Sequence, residues 1–404
     1  MKTTLTFIFC ACMLFKSQAQ HCTNNDRYTE INVFSISEID STSNALYASA
    51  LNASSDMQEL NIDVFFPDNA VDTATNRPFV LVIHGGGFIT GQKEDMHFDC
   101  LQWAQKGYVA ATIEYRLGNT NDVGLELLNR QYRAEQDARA AMRWIVDNAS
   151  TYRIDTSWLF IGGYSAGSLI SHGLIYTDQS EWDAVAPIVS TTLGDINTSG
   201  NNLTSTYDLK GLYNNCGSIY SPNVTVEEMV PTVAFHKEYD HIVAIDTFNN
   251  SFGSNAMHQW LSNEGICTEL SIDTNYYAPT PTSQHCAWTD FTGSAQRVNR
   301  ASCFFKSVFC NSCSTALMDD LVPSNCSTYL DLDETIGDEV AFEVYPNPFH
   351  DVISFSGVPD GIDGQIRNTS GQIVRHLKTG QLKDLSDLES GMYYVTLTYN
   401  SSVI

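Results

Sequence analysis

Short apolar runs alternate with stretches of helical spacing over the first three quarters of the chain. Continuous apolar runs rich in β-branched residues are typical of strands that are buried on both faces. Such runs lie at residues 60–66, 79–83, 109–113, 158–161, 184–189, 232–235 and 270–276. Helical patterns separate several of them, at residues 98–105, 130–148, 256–261 and 296–309. The alternation predicts an α/β fold, with a mostly parallel sheet that carries helices on both faces.

The pattern changes in two places. Residues 190–230 are polar and rich in Asn and Thr, which indicates an insertion between two strands. An acidic stretch follows Cys326, and beyond it the strand-like runs at 352–355 and 393–398 are bounded by turn residues. We therefore predict a main domain at 20–315, an acidic linker at 316–340 and a small all-β domain at 341–404.

The N-terminus has the layout of a cleavable secretory signal. Lys2 precedes an apolar stretch at 5–15, and Ser17-Gln18-Ala19 is a small-x-small ending. We expect residues 1–19 to be removed. No later apolar run approaches the ~18 residues of a membrane helix, so we expect no stable membrane insertion. The net charge of −26 argues against nucleic acid as a partner, because like charges repel at long range.

The cysteines fit an exported protein. Of the 11 cysteines, Cys10 and Cys12 lie within the predicted signal, and the remaining odd number leaves one thiol unpaired or paired between chains. Cys303, Cys310, Cys313 and Cys326 form a late cluster that could join the end of the main domain, with pairing left open. The spacing of Cys310 and Cys313 also occurs in zinc sites, but no second ligand pair accompanies it, which favours disulfides.

A candidate nucleophile lies where a strand meets a helix. Residues 163–167 read Gly-Tyr-Ser-Ala-Gly, directly after the 158–161 run and before a helix-permissive stretch at 168–171. In a strand, sharp turn and helix, small residues at both ends let the backbone hold the serine hydroxyl above the sheet. This context predicts that Ser165 is a nucleophile.

A glycine-rich segment follows an earlier strand. His84-Gly85-Gly86-Gly87-Phe88 comes directly after the 79–83 run. Bare backbone N–H groups in such a loop can stabilise the oxyanion of a tetrahedral intermediate. We expect His84 itself to be structural, because it stands at a strand end and precedes the acid in the chain.

Ser165 needs a base to take its proton and a carboxylate to orient that base. Where the nucleophile lies on a turn between a strand and a helix of a mostly parallel sheet, the acid and the base both come later in the chain. The acid precedes the histidine, and each lies on a loop at the carboxyl end of a later strand. Asp240 follows the 232–235 strand, with Glu238 and Asp246 as competitors; Asp246 is expected to begin a helix.

His285 follows the 270–276 strand and is the preferred base. The other two candidates are His241, which adjoins the acid too closely to reach Ser165, and His258, which lies in a helical stretch.

The main domain resembles the α/β-hydrolase superfamily. The resemblance rests on the chain order of four features: His84 to Phe88, Gly163 to Gly167, Asp240 and His285. The resemblance covers about residues 55–310 and is closest to secreted carboxylesterases with a His-Gly-Gly-Gly loop, the hormone-sensitive-lipase-like and feruloyl or acetyl-xylan esterases. It implies that the N–H groups of Gly86, Gly87 and Ala166 form an oxyanion hole. Tyr164 stands where these esterases usually carry an acidic residue, and His236-Lys237 replaces their usual His-Gly.

The tail resembles a different family, the C-terminal sorting domain of type IX secretion cargo. Residues 344–349, 371–374, 385–388 and 391–395 carry that resemblance. It implies a Bacteroidota-type bacterium, contact with the type IX secretion machinery, and a secreted or cell-surface location.

These features together predict a secreted serine carboxylesterase that uses no cofactor and no metal. Its substrate would be a small-molecule or polymer-linked ester. A polyester or lipid hydrolase, an amidase or peptidase on the same fold, and a non-catalytic binding protein on a hydrolase scaffold remain as alternatives.

Overall fold

The structure is a computed structural model, and its chain divides into two compact units, residues 1–331 and 332–404. In the first unit it describes residues 21–22, 25–118, 125–220, 224–248, 250–276, 284–320 and 326. In the second it describes 343–345, 352–356, 363–368, 373–378, 383–385, 388, 393–399 and 402–403. The predicted signal at 1–19 and most of the predicted linker lie outside these ranges.

A nine-stranded sheet forms the centre of the first unit, in the order β1-β2-β4-β3-β5-β6-β8-β11-β12. Strand β2 is antiparallel to both of its neighbours, β1 and β4, and all the other pairs are parallel. The strands of this sheet are β1 (Ile39–Leu51), β2 (Met57–Pro67), β3 (Arg77–Ile83), β4 (Val109–Ile113), β5 (Ile154–Tyr164), β6 (Leu209–Asn215), β8 (Thr232–Lys237), β11 (Thr268–Asp273) and β12 (Ala316–Met318). A separate three-stranded sheet pairs β7 (Ser218–Ile219), β10 (Ser251–Gly253) and β9 (Thr247–Phe248).

Helices cover both faces of the large sheet. They are α1 (His97–Gln105), α2 (Leu125–Asp147), α3 (Ala149–Tyr152), α4 (Ala166–Tyr176), α5 (Gln179–Val185), α6 (Pro187–Leu193), α7 (Ser254–Asn263) and α8 (Phe291–Phe309). Short 3-10 turns lie at Ile36–Glu38, Lys93–Met96 and Val226–Glu228. The predicted mostly parallel sheet between two helical layers is confirmed.

Two apolar cores lie on opposite faces of the sheet, and β3 shows why. Its side chains alternate between the faces, so Leu81 joins the core beneath α2 and α4, while Val80 and Val82 join the core beneath α1 and α8. All seven residues of β3 are buried. A continuous apolar run therefore predicted this strand correctly, because neither face is left to solvent.

The predicted strand at 184–189 is wrong. Residues 179–193 form the helices α5 and α6, with Pro187 at the first turn of α6, where its missing N–H costs nothing. The strand beside β5 is instead β6, which lies inside the segment predicted to be a polar insertion. All but one of its seven residues are buried, including Asn214 and Asn215, whose amides hid the strand from an apolar pattern.

The sheet also continues past residue 315, where we predicted the main domain to end, because β12 pairs with β11.

Four disulfides occur in the described residues: Cys22–Cys310, Cys216–Cys286, Cys267–Cys313 and Cys303–Cys326. Cys100 is the free cysteine among them and is buried. Cys310 and Cys313 are thus both in disulfides, each with a distant partner.

The second unit contains antiparallel strands in the part that is described. One sheet has the order β13-β14-β17, and the other has the order β16-β15-β18-β19. These strands are β13 (Glu343–Tyr345), β14 (Val352–Ser356), β15 (Asp363–Asn368), β16 (Ile373–Lys378), β17 (Lys383–Asp384), β18 (Tyr393–Tyr399) and β19 (Ser402–Val403). The predicted strands at 352–355 and 393–398 are confirmed. Among the described residues of the whole chain, no helix has both the length and the apolarity needed to cross a bilayer.

Candidate active site

Ser165 occupies a sharp turn between β5 and α4. Its backbone has φ 50° and ψ −119°, a conformation that is costly for a residue with a side chain. Gly167 makes the turn possible, since a Cβ there would overlap the carbonyl of Ile83 at the end of β3. The Ser165 N–H donates to the carbonyl of Asn215, 2.9 Å away, which fixes the turn against β6. The local sequence and the adjacent strands therefore present the hydroxyl at the carboxyl edge of the sheet.

His285 lies directly against this serine. The Ser165 Oγ is 2.7 Å from His285 Nε2. The other ring nitrogen, Nδ1, lies 2.8 Å from Asp240 Oδ2 and 3.0 Å from Asp240 Oδ1. The three residues that sequence reasoning preferred thus form one continuous hydrogen-bonded relay, although 120 residues separate Ser165 from His285.

Asp240 is held as a carboxylate by several donors. Its Oδ1 accepts hydrogen bonds from the N–H groups of Ile242 and Val243, at 2.9 and 3.0 Å. Burial by itself would raise the pKa of Asp240, but hydrogen bonds with His236 and His285 outweigh it and keep that pKa well below its usual value. The group is therefore ionised at any pH at which His285 would work.

The competing residues lie elsewhere. Glu238 and His241 are exposed at the surface. Asp246 does not begin a helix, because α7 starts at Ser254; its carboxylate accepts from the side-chain amide of Asn255 at 2.7 Å. His258 is buried in α7, with Nδ1 3.3 Å from Thr268 Oγ1. Within the described part of the chain, none of the four is hydrogen-bonded to Ser165.

The glycine-rich loop lies beside the nucleophile. A Cβ on Gly85 would come within 3.3 Å of Ser165 Cβ, so the loop backbone packs directly on the serine. Gly86 and Gly87 both have positive φ, 106° and 61°. Within the described residues, neither N–H takes part in a backbone hydrogen bond. Ala166 is the first residue of α4, so its N–H has no acceptor within the helix.

His84 supports this loop, as expected, and does not reach the relay. Its Nδ1 lies 2.8 Å from the Gly85 carbonyl, and its ring stacks on Tyr115 with centroids 4.3 Å apart. The Tyr115 hydroxyl donates to the carbonyls of both His84 and Gly85. Burial lowers the pKa of His84, which favours the neutral ring.

Sequence reasoning missed a buried polar network beneath the turn. The Tyr164 hydroxyl donates to Asp99 Oδ2 at 3.0 Å and accepts from the Arg297 guanidinium, which also contacts Tyr213. Burial raises the pKa of Asp99 and lowers that of Arg297 to about 10. The unusual Tyr164 was the available signal, because its hydroxyl hydrogen-bonds a buried carboxylate of α1.

A second cluster of titratable groups could be mistaken for a metal site. Asp63, Glu94 and His97 bring one potential ligand atom each within 4.8 Å of the others. The Lys93 ammonium, however, lies 3.2 Å from Asp63 and also pairs with Glu94. A cation is thus already present in this cluster as a lysine side chain.

An open cleft of about 450 Å³ adjoins the glycine-rich loop. His84 and Gly91 form part of its wall. The remaining wall is mostly polar and includes Asn52, Gln58, Gln92 and Glu114.

Comparison with known proteins identifies two family segments. Residues 62–197 match the BD-FAE family model, a stretch that includes the glycine-rich loop and Ser165. Residues 343–404 match the Secretion system C-terminal sorting domain. The resemblances to α/β-hydrolase esterases and to the type IX sorting domain are confirmed, and the tail indicates export from the cell to its surface or the medium.

Several individual proteins are similar over parts of the chain. The para-nitrobenzyl esterase of Bacillus subtilis is 32% identical over 114 residues, which cover 27% of this chain and 23% of that protein. The cAMP-regulated D2 protein of Dictyostelium discoideum is 29% identical over 109 residues, 27% of this chain and 20% of that protein. The chain thus spans about a fifth of these relatives. A structure of Thermogutta terrifontis esterase 2 phosphoramylated by tabun covers 68% of this chain and 96% of its own, with 15% identity and a TM-score of 0.46.

Proposed function

We propose that this protein is an exported serine carboxylesterase that hydrolyses carboxylic esters through an acyl-enzyme intermediate. The observation that carries the proposal is the continuous relay from Ser165 through His285 to Asp240, with contacts of 2.7 and 2.8 Å. The similarity of residues 62–197 to the BD-FAE family supports it. The four disulfides agree with export to an oxidising compartment.

The relay has the parts that acyl transfer requires. His285 Nε2 accepts the Ser165 proton as Oγ attacks the ester carbonyl, and Asp240 stabilises the imidazolium that forms. The proton then passes from Nε2 to the departing alcohol. Water repeats the sequence on the acyl-enzyme, again with His285 as base, and frees the carboxylic acid.

The developing oxyanion would be bound by backbone donors. Gly86, Gly87 and Ala166 offer N–H groups at the carboxyl edge of the sheet, next to Ser165. Each fixed donor of this kind contributes about 3 kcal/mol to stabilising the transition state. The acidic residue usual at position 164 is not needed for any of these steps, which is why Tyr164 is compatible with the proposal.

For export, we propose passage across the outer membrane through the type IX machinery, with residues 343–404 as the recognised segment.

Hydrolysis of a p-nitrophenyl ester series from acetate to palmitate tests the activity. We expect turnover of the short esters by the wild type and none above background in Ser165→Ala, while Ser180→Ala, a change at an exposed serine, behaves as wild type. A serine-directed phosphonate should label Ser165, as identified by mass spectrometry of the labelled peptide. A folded wild-type protein that cleaves no ester and takes up no phosphonate would overturn the proposal.

A further inference from the structure

One disulfide joins the immediate neighbours of the relay. Cys286 follows His285 in the chain, and its partner Cys216 follows Asn215, whose carbonyl accepts from the Ser165 N–H. The Cys216 Sγ lies 4.0 Å from His285 Nε2, the nitrogen that faces the serine. A single covalent bond therefore links the backbone that holds the nucleophile to the backbone that holds the base.

The segment that carries His285 needs such a constraint. The base lies in neither a strand nor a helix, but in the connection between the end of β11 at Asp273 and the start of α8 at Phe291. Long connections hold a side chain less well than strands and helices do, because their ends fix fewer of their conformations. A cross-link next to the base removes many of the arrangements in which Nε2 would be turned away from Ser165.

Apart from the hydrogen bonds of His285 itself, the hydrogen bonds that join the next two residues to Asp240 and to β6 are long. The Cys286 N–H lies 3.4 Å from Asp240 Oδ2, and the Asn215 amide donates to the Ala287 carbonyl at 3.3 Å. Both are longer than the usual 2.9 to 3.0 Å of an N–H···O bond. The disulfide is thus the strongest link between this segment and β6.

Taking the proposed esterase reaction as given, we propose that Cys216 and Cys286 are positioning residues whose disulfide keeps His285 aligned with Ser165. Neither sulfur takes part in bond making. Their contribution is to raise the fraction of molecules in which the proton can be transferred. Displacements of about 1 Å at a reacting centre cost on the order of 100-fold in rate.

The paired variant Cys216→Ala/Cys286→Ala tests this, with Cys267→Ala/Cys313→Ala as its matched control. The control disulfide closes 46 residues, compared with 70 for the proposed one, and lies at the opposite end of the sheet, where β11 meets β12. We expect kcat of the first variant to fall 10- to 100-fold with KM changed less than threefold. The control should keep kcat within threefold of wild type when both are assayed well below their melting temperatures.

A purely structural role would lower the melting temperatures of both variants without separating their kcat values, and that result would overturn the inference. If the first variant does not fold, graded reduction of the wild type replaces it. Dithiothreitol supplies two electrons and two protons per disulfide and closes to its own cyclic disulfide, and the freed thiols are alkylated and mapped. Activity should fall with alkylation of Cys286, and activity that followed Cys313 instead would contradict the proposal. A fully oxidised wild type without esterase activity would count against the proposed function itself.

Discussion

Replacement of Asp240 by Asn probes the relay through its hydrogen-bonding pattern. In the wild type, Oδ1 accepts from two backbone N–H groups, of Ile242 and Val243, and Oδ2 is the oxygen nearer to His285 Nδ1, at 2.8 Å. An amide NH₂ in place of Oδ1 would face two donors, so the amide oxygen must take that position. The amide nitrogen then faces Nδ1 of His285.

That arrangement switches the tautomer of the His285 imidazole. Nδ1 has to present its lone pair to the new NH₂ donor, which places the ring proton on Nε2, the atom 2.7 Å from Ser165 Oγ. A protonated Nε2 cannot accept the serine proton. The equivalent exchange in a Ser-His-Asp relay lowers kcat about 10⁴-fold, and we expect a loss of about 10³ to 10⁴ here. This corresponds to ~4 to 5.5 kcal/mol of transition-state stabilisation at ~1.4 kcal/mol per tenfold change.

The assay is kcat/KM for p-nitrophenyl acetate. The matched control is Glu238→Gln, which makes the same chemical change two residues earlier on an exposed side chain and should stay within twofold of wild type. The Asn variant should keep its fold, because the two backbone donors retain an acceptor. A loss of less than tenfold in Asp240→Asn, or an equal loss in Glu238→Gln, would refute the assignment of the acid.

Three further changes have distinct readouts. Gly86→Ala should lower kcat/KM at least ~100-fold, because its Cβ would overlap a neighbouring backbone carbonyl. Gly87→Ala, whose Cβ meets no atom within 4 Å, should lose far less activity, and equal losses in the two variants would argue against the loop geometry. Burial raises the pKa of Glu135 from its ordinary 4.5 to about 7. Between these two pH values the folded protein keeps the Glu135 proton, whereas the unfolded chain has lost it. Stability should therefore fall by up to ~3 kcal/mol between pH 4.5 and 7, and urea unfolding of Glu135→Gln should show a smaller fall; an unchanged pH dependence would contradict this. Arg297→Met should cost ~3 to 5 kcal/mol because it removes the buried positive charge that offsets the Asp99 carboxylate, and adding Asp99→Asn should recover part of that loss, as measured by chemical denaturation.

The local pattern of apolar and polar residues was sufficient to predict a strand where the burial of each residue follows from the segment that contains it. β3 and β4 are buried on both faces, so their apolar runs revealed them directly. Pattern failed at β6, where buried amides replace part of the apolar run, and at residues 184–189, where Pro187 begins a helix. In both places the outcome depends on what packs against the segment, which the segment does not encode.

For the candidate site, the sharp turn at Ser165 and the glycine-rich loop could be predicted from local sequence, because both are consequences of local backbone conformation. The order of acid and base narrowed the remaining choice to a few carboxylates and histidines. The contact between Asp240 and His285 follows from the fold, since the sheet brings together loops that are 45 residues apart. The fold also pairs Cys216 with Cys286 and places Asp99 beneath Tyr164. Distances between separate strands and helices are set by packing, which no short stretch of sequence specifies.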